Sequence, residues 1–298
     1  MIAMSRIHRQ PFIVAELSAN HRGSIQRALS IIDAAAEAGA DGIKLQTFTP
    51  EQMADPDTVV QAGPWAGRHL LDLYREAHVP RAWHGPLFKY AQQKGLVAFS
   101  SVFHQDDVDF LETIDCPIYK IASFELTDTD LIYYAAATCK PLIISTGMGS
   151  QSEIAMALTA ATTAGAIDIT LLKCTSAYPA DPADANLATM MSMGKPWNVA
   201  SPEGAVTPDI GLSDHTLGIG VAVAATALGA TVIEKHLTLS RQDGGPDAEF
   251  SMEPAEFKQL VQECHRAAAA IGRVHYGPEP TEHASMMLRR RPNHKRGQ

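Results

Sequence analysis

Apolar, β-branched residues recur along the chain in short runs: FIVAEL at 12–17, GIKLQTF at 42–48, LVAFSSV at 96–102, IYKIAS at 118–123, PLIISTG at 141–147, ITLLKC at 169–174, IGLSDH at 210–215 and TVIEKHL at 231–237. Each run is short for a helix, which predicts eight strands. Between them stand alanine-rich segments with a helical period, among them SIQRALSIIDAAAEAGA, with Ser24 as N-cap and Gly39 as terminator, and LGIGVAVAATALGA. Alternating strands and helices imply a parallel sheet with right-handed crossovers, and eight units predict an α/β fold of the closed (β/α)8 TIM-barrel type. Two connections exceed what a barrel needs. Thr49 to Gln93 is expected to make an excursion over the barrel mouth and then form the second barrel helix. Ala177 to Asp209, with GKPWNVASPEGAVTPD, is expected to be irregular.

The predicted strands end in polar residues that an apolar core does not require: Glu16; Lys44 with Gln46; Ser100 with Ser101; Lys120 with Ser123; Ser145 with Thr146; Lys173 with Thr175; Ser213 with His215; and Glu234 with His236. Strand C-termini form the open mouth of such a barrel, where reactive groups collect. Alternate residues share a strand face, so Lys44 with Gln46, Ser213 with His215, and Glu234 with His236 are each expected to face the lumen together. The same rule excludes a hydrolase triad within Ser213, Asp214 and His215, because neighbouring strand residues point to opposite faces.

The 298 residues, 46 % of them hydrophobic, suffice for one large barrel. A net charge of -9 argues against nucleic acid as a partner. The one basic run, Arg289 to Arg291 with Lys295 and Arg296, reads as a solvated tail. Cys116, Cys139, Cys174 and Cys264 are widely spaced without a CxxC pair, as in reduced, mostly buried thiols of a cytoplasmic protein. No apolar stretch reaches membrane-helix length, so a soluble protein without a membrane partner is expected.

His215 and His236 end neighbouring strands, and two imidazoles with oxygen ligands suit Mn²⁺, Co²⁺, Zn²⁺ or Mg²⁺. Lys44 and Lys120, ringed by Ser101, Ser123, Ser145 and Ser213, make a cationic, hydroxyl-rich pocket that suits a phosphate plus a carboxylate. A Schiff-base lysine remains open on these residues alone.

The chain resembles the sialic acid synthase family, which condenses phosphoenolpyruvate with an acetamido sugar. The resemblance lies in AELSANHRGSIQRA, AGADGIKLQTF, YKIASFE, ISTGM, GLSDHTLG and IEKHLTL followed by GGPDAEFSMEPAEF. LLDLYREAHVPRAWHGPLFKYA and LLKCTSAYPA are most similar to the pseudaminic acid branch, whereas the N-acetylneuraminate branch typically has Asn at the place of Ser176. The resemblance implies that His215 and His236 hold a divalent metal (Mn²⁺ or Mg²⁺, with Co²⁺ a further candidate), His236 also counting among the catalytic residues. It implies that Lys44, Ser101, Lys120, Ser123, Ser145 and Ser213 bind the phosphate and carboxylate of phosphoenolpyruvate, that Ser176 is a further substrate-binding residue, that Gln46, Tyr178 and Asp247 face the sugar, and that Glu16 and Glu125 handle protons. The implied acceptor is 2,4-diacetamido-2,4,6-trideoxy-altrose; an N-acetylneuraminate or legionaminate synthase, or a weakened sugar-binding paralogue, is the alternative. Residues 1–278 are expected to form the synthase barrel. The tail 279–298 is expected to end where family members continue into a small antifreeze-like domain, which a separate chain would then supply unless the enzyme works without it; a homodimer is a further expected partner. Two stretches depart from the family: SSVF replaces the common STPF after the third strand, and the loop before Asp209 lacks the usual helix.

Overall fold

In the computed structural model, which describes residues 10–201 and 204–289, the eight apolar runs become strands. They are β1 (Phe12–Glu16), β2 (Gly42–Thr47), β3 (Val97–Val102), β4 (Tyr119–Ile121), β5 (Leu142–Ser145), β6 (Ile169–Cys174), β7 (Asp209–Asp214) and β8 (Val232–His236). Each pairs in parallel with the next, and β8 returns to β1, closing the expected barrel.

The helices are α1 (Ile25–Ala38), α2 (Pro50–Met53), α3 (Leu70–Ala77), α4 (Arg81–Gln93), α5 (Gln105–Glu112), α6 (Thr129–Ala136), α7 (Gln151–Thr163), α8 (Ala188–Met193), α9 (Gly220–Ala227) and α10 (Pro254–Ile271). At α1 the caps are those the sequence implies: Ser24 accepts a hydrogen bond from the Arg27 amide and Gly39 closes the helix in the left-handed region. Among the described residues no helix is long and apolar enough to cross a membrane.

The pleat sorts side chains into two layers. Ile13, Ala15, Ile43, Leu45, Leu212 and Ile233 pack outward against Ile31, Ile32, Leu87 and Leu260 of the helices. Val14, Phe99, Ile143, Leu172 and Val232, two positions before the polar strand ends, plug the lumen beneath them. Room for that plug depends on Gly211, where a Cβ would stand 2.5 Å from both the Leu172 side chain and the Val232 carbonyl. The polar mouth therefore rests on a dry apolar floor.

Several boundaries differ from the sequence reading. β4 stops at Ile121, and Ser123 opens a 3-10 turn, Ser123–Glu125. β7 ends at Asp214, leaving His215 as the first residue beyond it. Not every polar strand end joins the mouth. Ser100 bonds Thr47 at 2.7 Å behind β2 and β3, while Lys173 turns to the Cys174 carbonyl and Thr175. Both are one residue out of phase with a lumen-facing neighbour. The connection before Asp209 is not wholly irregular: α8 forms within it, and Trp197 and Val206 make an antiparallel bridge. Cys116, Cys174 and Cys264 are buried, Cys139 is exposed, and all four are free. Of the basic tail only Arg289 falls among the described residues; Arg290, Arg291, Lys295 and Arg296 lie outside them.

Candidate active site

Lys44 stands at the centre of the mouth. Its ammonium pairs with Glu16 Oε2, lies 3.8 Å from Glu234 Oε2 and donates to Ser101 Oγ at 3.1 Å. Because β2 and β8 flank β1, these contacts cross the lumen interior. Burial alone would drive Lys44 neutral, but the two carboxylates hold its pKa above the ordinary value. Burial raises Glu16 to about 7, with Glu234 adding to the rise and Lys44 opposing it. Glu234 is also deeply buried, yet Lys44 and Lys120 hold it below its usual range, and it accepts from Ser213 at 3.0 Å. Glu234 is the residue to which the sequence reading gave no role. Its signal was present in the Glu234, His236 alternation, but one sequence does not reveal which strand-end carboxylate meets which lysine.

Lys120 enters from β4, donates to the Ile121 carbonyl at 2.9 Å, and burial lowers its pKa. Beyond it Ser123 accepts from the Gly147 amide at 3.1 Å. A Cβ on Gly147 would fall 2.3 Å from Ser176 Oγ and 2.7 Å from Ser123 Oγ, so glycine is what lets three loops meet here. Burial raises Glu125, in the same turn as Ser123, to about 7.

The second wall comes from the loops after β1, β6 and β8. Ser18 donates to Asp247 Oδ2 and accepts from Gln46 at 3.0 Å, and the Ala19 amide reaches Asp247 at 3.2 Å. Gln46 also reaches Glu16 at 3.3 Å, and Asn20 bonds the Leu237 carbonyl and Ser251. Ser18 and Asn20 were not singled out from sequence. Tyr178 lies 4.4 Å from the His215 ring and 5.1 Å from Phe250, centroid to centroid. Trp65, from the excursion after β2, stacks against Tyr178 at 5.4 Å and donates to the Pro246 carbonyl at 2.8 Å. The excursion therefore does reach over the mouth.

His215 and His236 lie side by side, ring centroids 5.5 Å apart. His215 Nδ1 meets the Thr175 carbonyl at 3.0 Å, an anchor that leaves Nε2 for a ligand. Burial and the facing His215 push His236 well below its ordinary pKa, towards the neutral form a metal ligand needs, whereas at His215 burial is outweighed by Cys174 and the Thr175 carbonyl, which hold it above its ordinary value. Among the described residues no three or more His, Cys, Asp or Glu side chains gather as a ready cation site. The two imidazoles stand alone, so an ion held there would take its remaining ligands from oxygens of substrate or water.

Buried polar atoms without hydrogen-bond partners gather here: Ser145 Oγ, Ser176 Oγ, Glu125 Oε2, Glu234 Oε2 and His236 Nδ1. Each unmade bond costs about 1–3 kcal/mol, and five around one mouth indicate a site shaped for a polar ligand. The structure thus brings every sequence-predicted site residue to one barrel mouth, on β1 to β8 or the loops that follow them.

Fold and mouth together define a (β/α)8-barrel enzyme whose lumen carries two buried ammonium groups beside an imidazole pair. The chain belongs to the NeuB family, whose model matches residues 31–276. Among its relatives, pseudaminic acid synthase of Helicobacter pylori is 42% identical over 267 residues, covering 88% of this chain and 76% of that protein. N,N'-diacetyllegionaminic acid synthase of Campylobacter jejuni is 34% identical over 272 residues, covering 89% and 78%. The solved structure of N-acetylneuraminic acid synthetase from Leptospira borgpetersenii in complex with citrate superposes with a TM-score of 0.81 at 30% identity, covering 94% of this chain and 92% of that one.

Proposed function

We propose that the protein condenses phosphoenolpyruvate with an open-chain acetamido sugar, 2,4-diacetamido-2,4,6-trideoxy-altrose, giving pseudaminic acid and phosphate. The observation that carries this reading is the meeting of the Lys44 and Lys120 ammonium groups with the His215 and His236 imidazoles over one lumen, in a chain 42% identical to a pseudaminic acid synthase.

Lys44 and Lys120 take the carboxylate and phosphate of phosphoenolpyruvate, with Ser101, Ser123, Ser145, Ser176 and Ser213 as neutral donors. Gln46, Tyr178 and Asp247 orient the sugar on the opposite wall. His215 and His236 would hold a divalent ion, Mn²⁺, Mg²⁺ or Co²⁺, which when bound would supply Lewis-acid polarisation of the aldehyde oxygen. C3 of phosphoenolpyruvate bonds to the aldehyde carbon, and positive charge develops at C2, where Glu16 and Glu234 offset it. Water adds at C2 and gives its proton to Glu125, whose Oε2 is buried without a partner and whose pKa near 7 suits a general base. Phosphate then leaves by cleavage of its bond to C2 and carries off the proton of the C2 hydroxyl as the ketone forms; the proton taken by Glu125 is returned to the former aldehyde oxygen, and the 2-keto sugar acid remains.

The test is phosphate release from phosphoenolpyruvate with Mn²⁺ and the trideoxy sugar; absence of release with it or with any N-acetylated hexose would sink the reading. A Schiff base on Lys120, whose pKa burial lowers, is the second reading. It requires borohydride to trap pyruvate at Lys120, whereas condensation requires that it trap nothing.

A further inference from the structure

Directly behind the imidazole pair lies a second buried pair, on the opposite face of the same two strands. Lys235 Nζ donates to Asp214 Oδ2 at 2.7 Å, and the two residues face each other in the β7–β8 register. Both side chains are almost wholly buried, Lys235 at 1 % exposure and Asp214 at 2 %. Lys235 also donates to the Thr216 carbonyl at 2.5 Å, and Asp214 Oδ1 accepts from the Thr216 amide at 2.9 Å. His215 is thus enclosed: the residue before it and the residue after it are both fixed to Lys235, and Lys235 immediately precedes His236.

The ties continue outward from each histidine. The His215 carbonyl accepts from the Ala180 amide at 3.0 Å, which holds the loop carrying Tyr178. The His236 carbonyl accepts from the Met252 amide at 2.8 Å, which holds the loop carrying Asp247 and Phe250. A buried ion pair is a poor source of net stability, because desolvation consumes most of the attraction; its best-attested use is to fix a register. Here a slip of β8 along β7 by one residue would turn His236 out of the lumen and away from His215, and a slip by two would leave both buried charges unpaired.

We propose that Asp214 and Lys235 are positioning residues for the histidine pair: their ion pair, closed through Thr216, holds His215 and His236 at the separation that lets both bind one divalent cation. This rests on the reading of those histidines as metal ligands. Neither Asp214 nor Lys235 touches substrate or metal, since they lie on the helix side of the strands.

The experiment measures Mn²⁺ binding without substrate, by counting free Mn²⁺ with electron paramagnetic resonance, on the full chain. The wild type is expected to bind one ion, and His236→Ala to lose it; if either result fails, the metal reading falls and this proposal with it. The double variant Asp214→Leu/Lys235→Met replaces the pair by apolar side chains, so that no lone charge is left buried. It is expected to melt within a few degrees of wild type yet bind Mn²⁺ at least tenfold more weakly, with phosphoenolpyruvate affinity in the absence of metal unchanged within twofold. The amide pair Asp214→Asn/Lys235→Gln, which retains hydrogen bonds across the strands, is expected to restore most of the Mn²⁺ affinity. If the apolar variant does not fold, Lys235→Arg carries the test, because it keeps the charge but not the ammonium's fit between Asp214 and Thr216; at least threefold weaker binding is expected. Wild-type Mn²⁺ affinity in the folded apolar variant, or in Lys235→Arg where that one carries the test, overturns the proposal while leaving the metal reading intact.

Discussion

A lysine buried as deeply as Lys44 keeps its charge only because Glu16 and Glu234 face it. The converse also holds, since Glu16 stays near a pKa of about 7, short of full neutralisation, because Lys44 opposes its burial. Glu125 has less help: burial raises it to about 7, and the carboxylate charge relied upon for proton transfer is lost below that. If Glu125 takes the proton from water, the rate must fall as pH drops through about 7. The expected kcat/KM profile therefore has an acidic limb near that value, to which Glu16 also contributes, and Glu125→Gln makes the limb shallower while removing about 10²–10⁴ of the rate. A limb that persists unchanged in Glu125→Gln assigns the proton to another group. At this scale the sequence was informative about residue types and poor about partners. The lysines, serines and histidines were legible as strand ends, but the Glu234–Lys44 contact and the Ser18–Asp247 bond join positions that only closure of the barrel brings together.

At the scale of elements, eight strands were readable because each apolar run is short and bounded, and α1 because its caps and period agree. α8 was not: at six residues, ATMMSM, it is too short to show a period, and its burial of Met190 and Met193 is a tertiary fact. The loops after the strands carry more of the chemistry than the strands themselves. At the turn after β5, Gly147 is the contact point of the loops carrying Ser123 and Ser176. Gly147→Ala is expected to push those hydroxyls apart and raise KM for phosphoenolpyruvate about tenfold, with little change in melting temperature, since displacements of this size at a binding surface are costly. On the other wall, Trp65→Ala removes the stacking on Tyr178 and the bond to Pro246. It should raise KM for the sugar several-fold while leaving that for phosphoenolpyruvate unchanged; equal effects on both would place Trp65 outside the sugar wall.

For the whole molecule, the pH dependence of stability comes from groups far from the chemistry as well as from those in it. His84 is buried behind β2, bonded to Thr47 at 2.8 Å, and burial lowers its pKa to about 4. A histidine whose folded pKa lies below its unfolded value of 6.5 gives its full stabilisation above pH 6.5 and loses it as pH falls towards 4. At about 1.4 kcal/mol per pKa unit, the loss is about 3 kcal/mol. Melting temperature should accordingly decline between pH 7 and pH 4.5, and His84→Gln should flatten that decline even though it lowers the plateau; an unchanged slope would show that other groups set it.

The seam where β8 meets β1 sets Glu16 opposite His236, and just above it Ser18 bonds Asp247, 229 residues further along the chain. One half of the reaction centre is therefore synthesised well before the other. During translation Lys44 can meet Glu16 early but waits for Glu234 on β8, and the non-local pairing that joins β1 to β8 is the slow kind. Catalytic competence in such a barrel arrives with the final strand, so recovery of turnover after dilution from denaturant should lag behind the return of helical signal, and the lag times the closing of the ring.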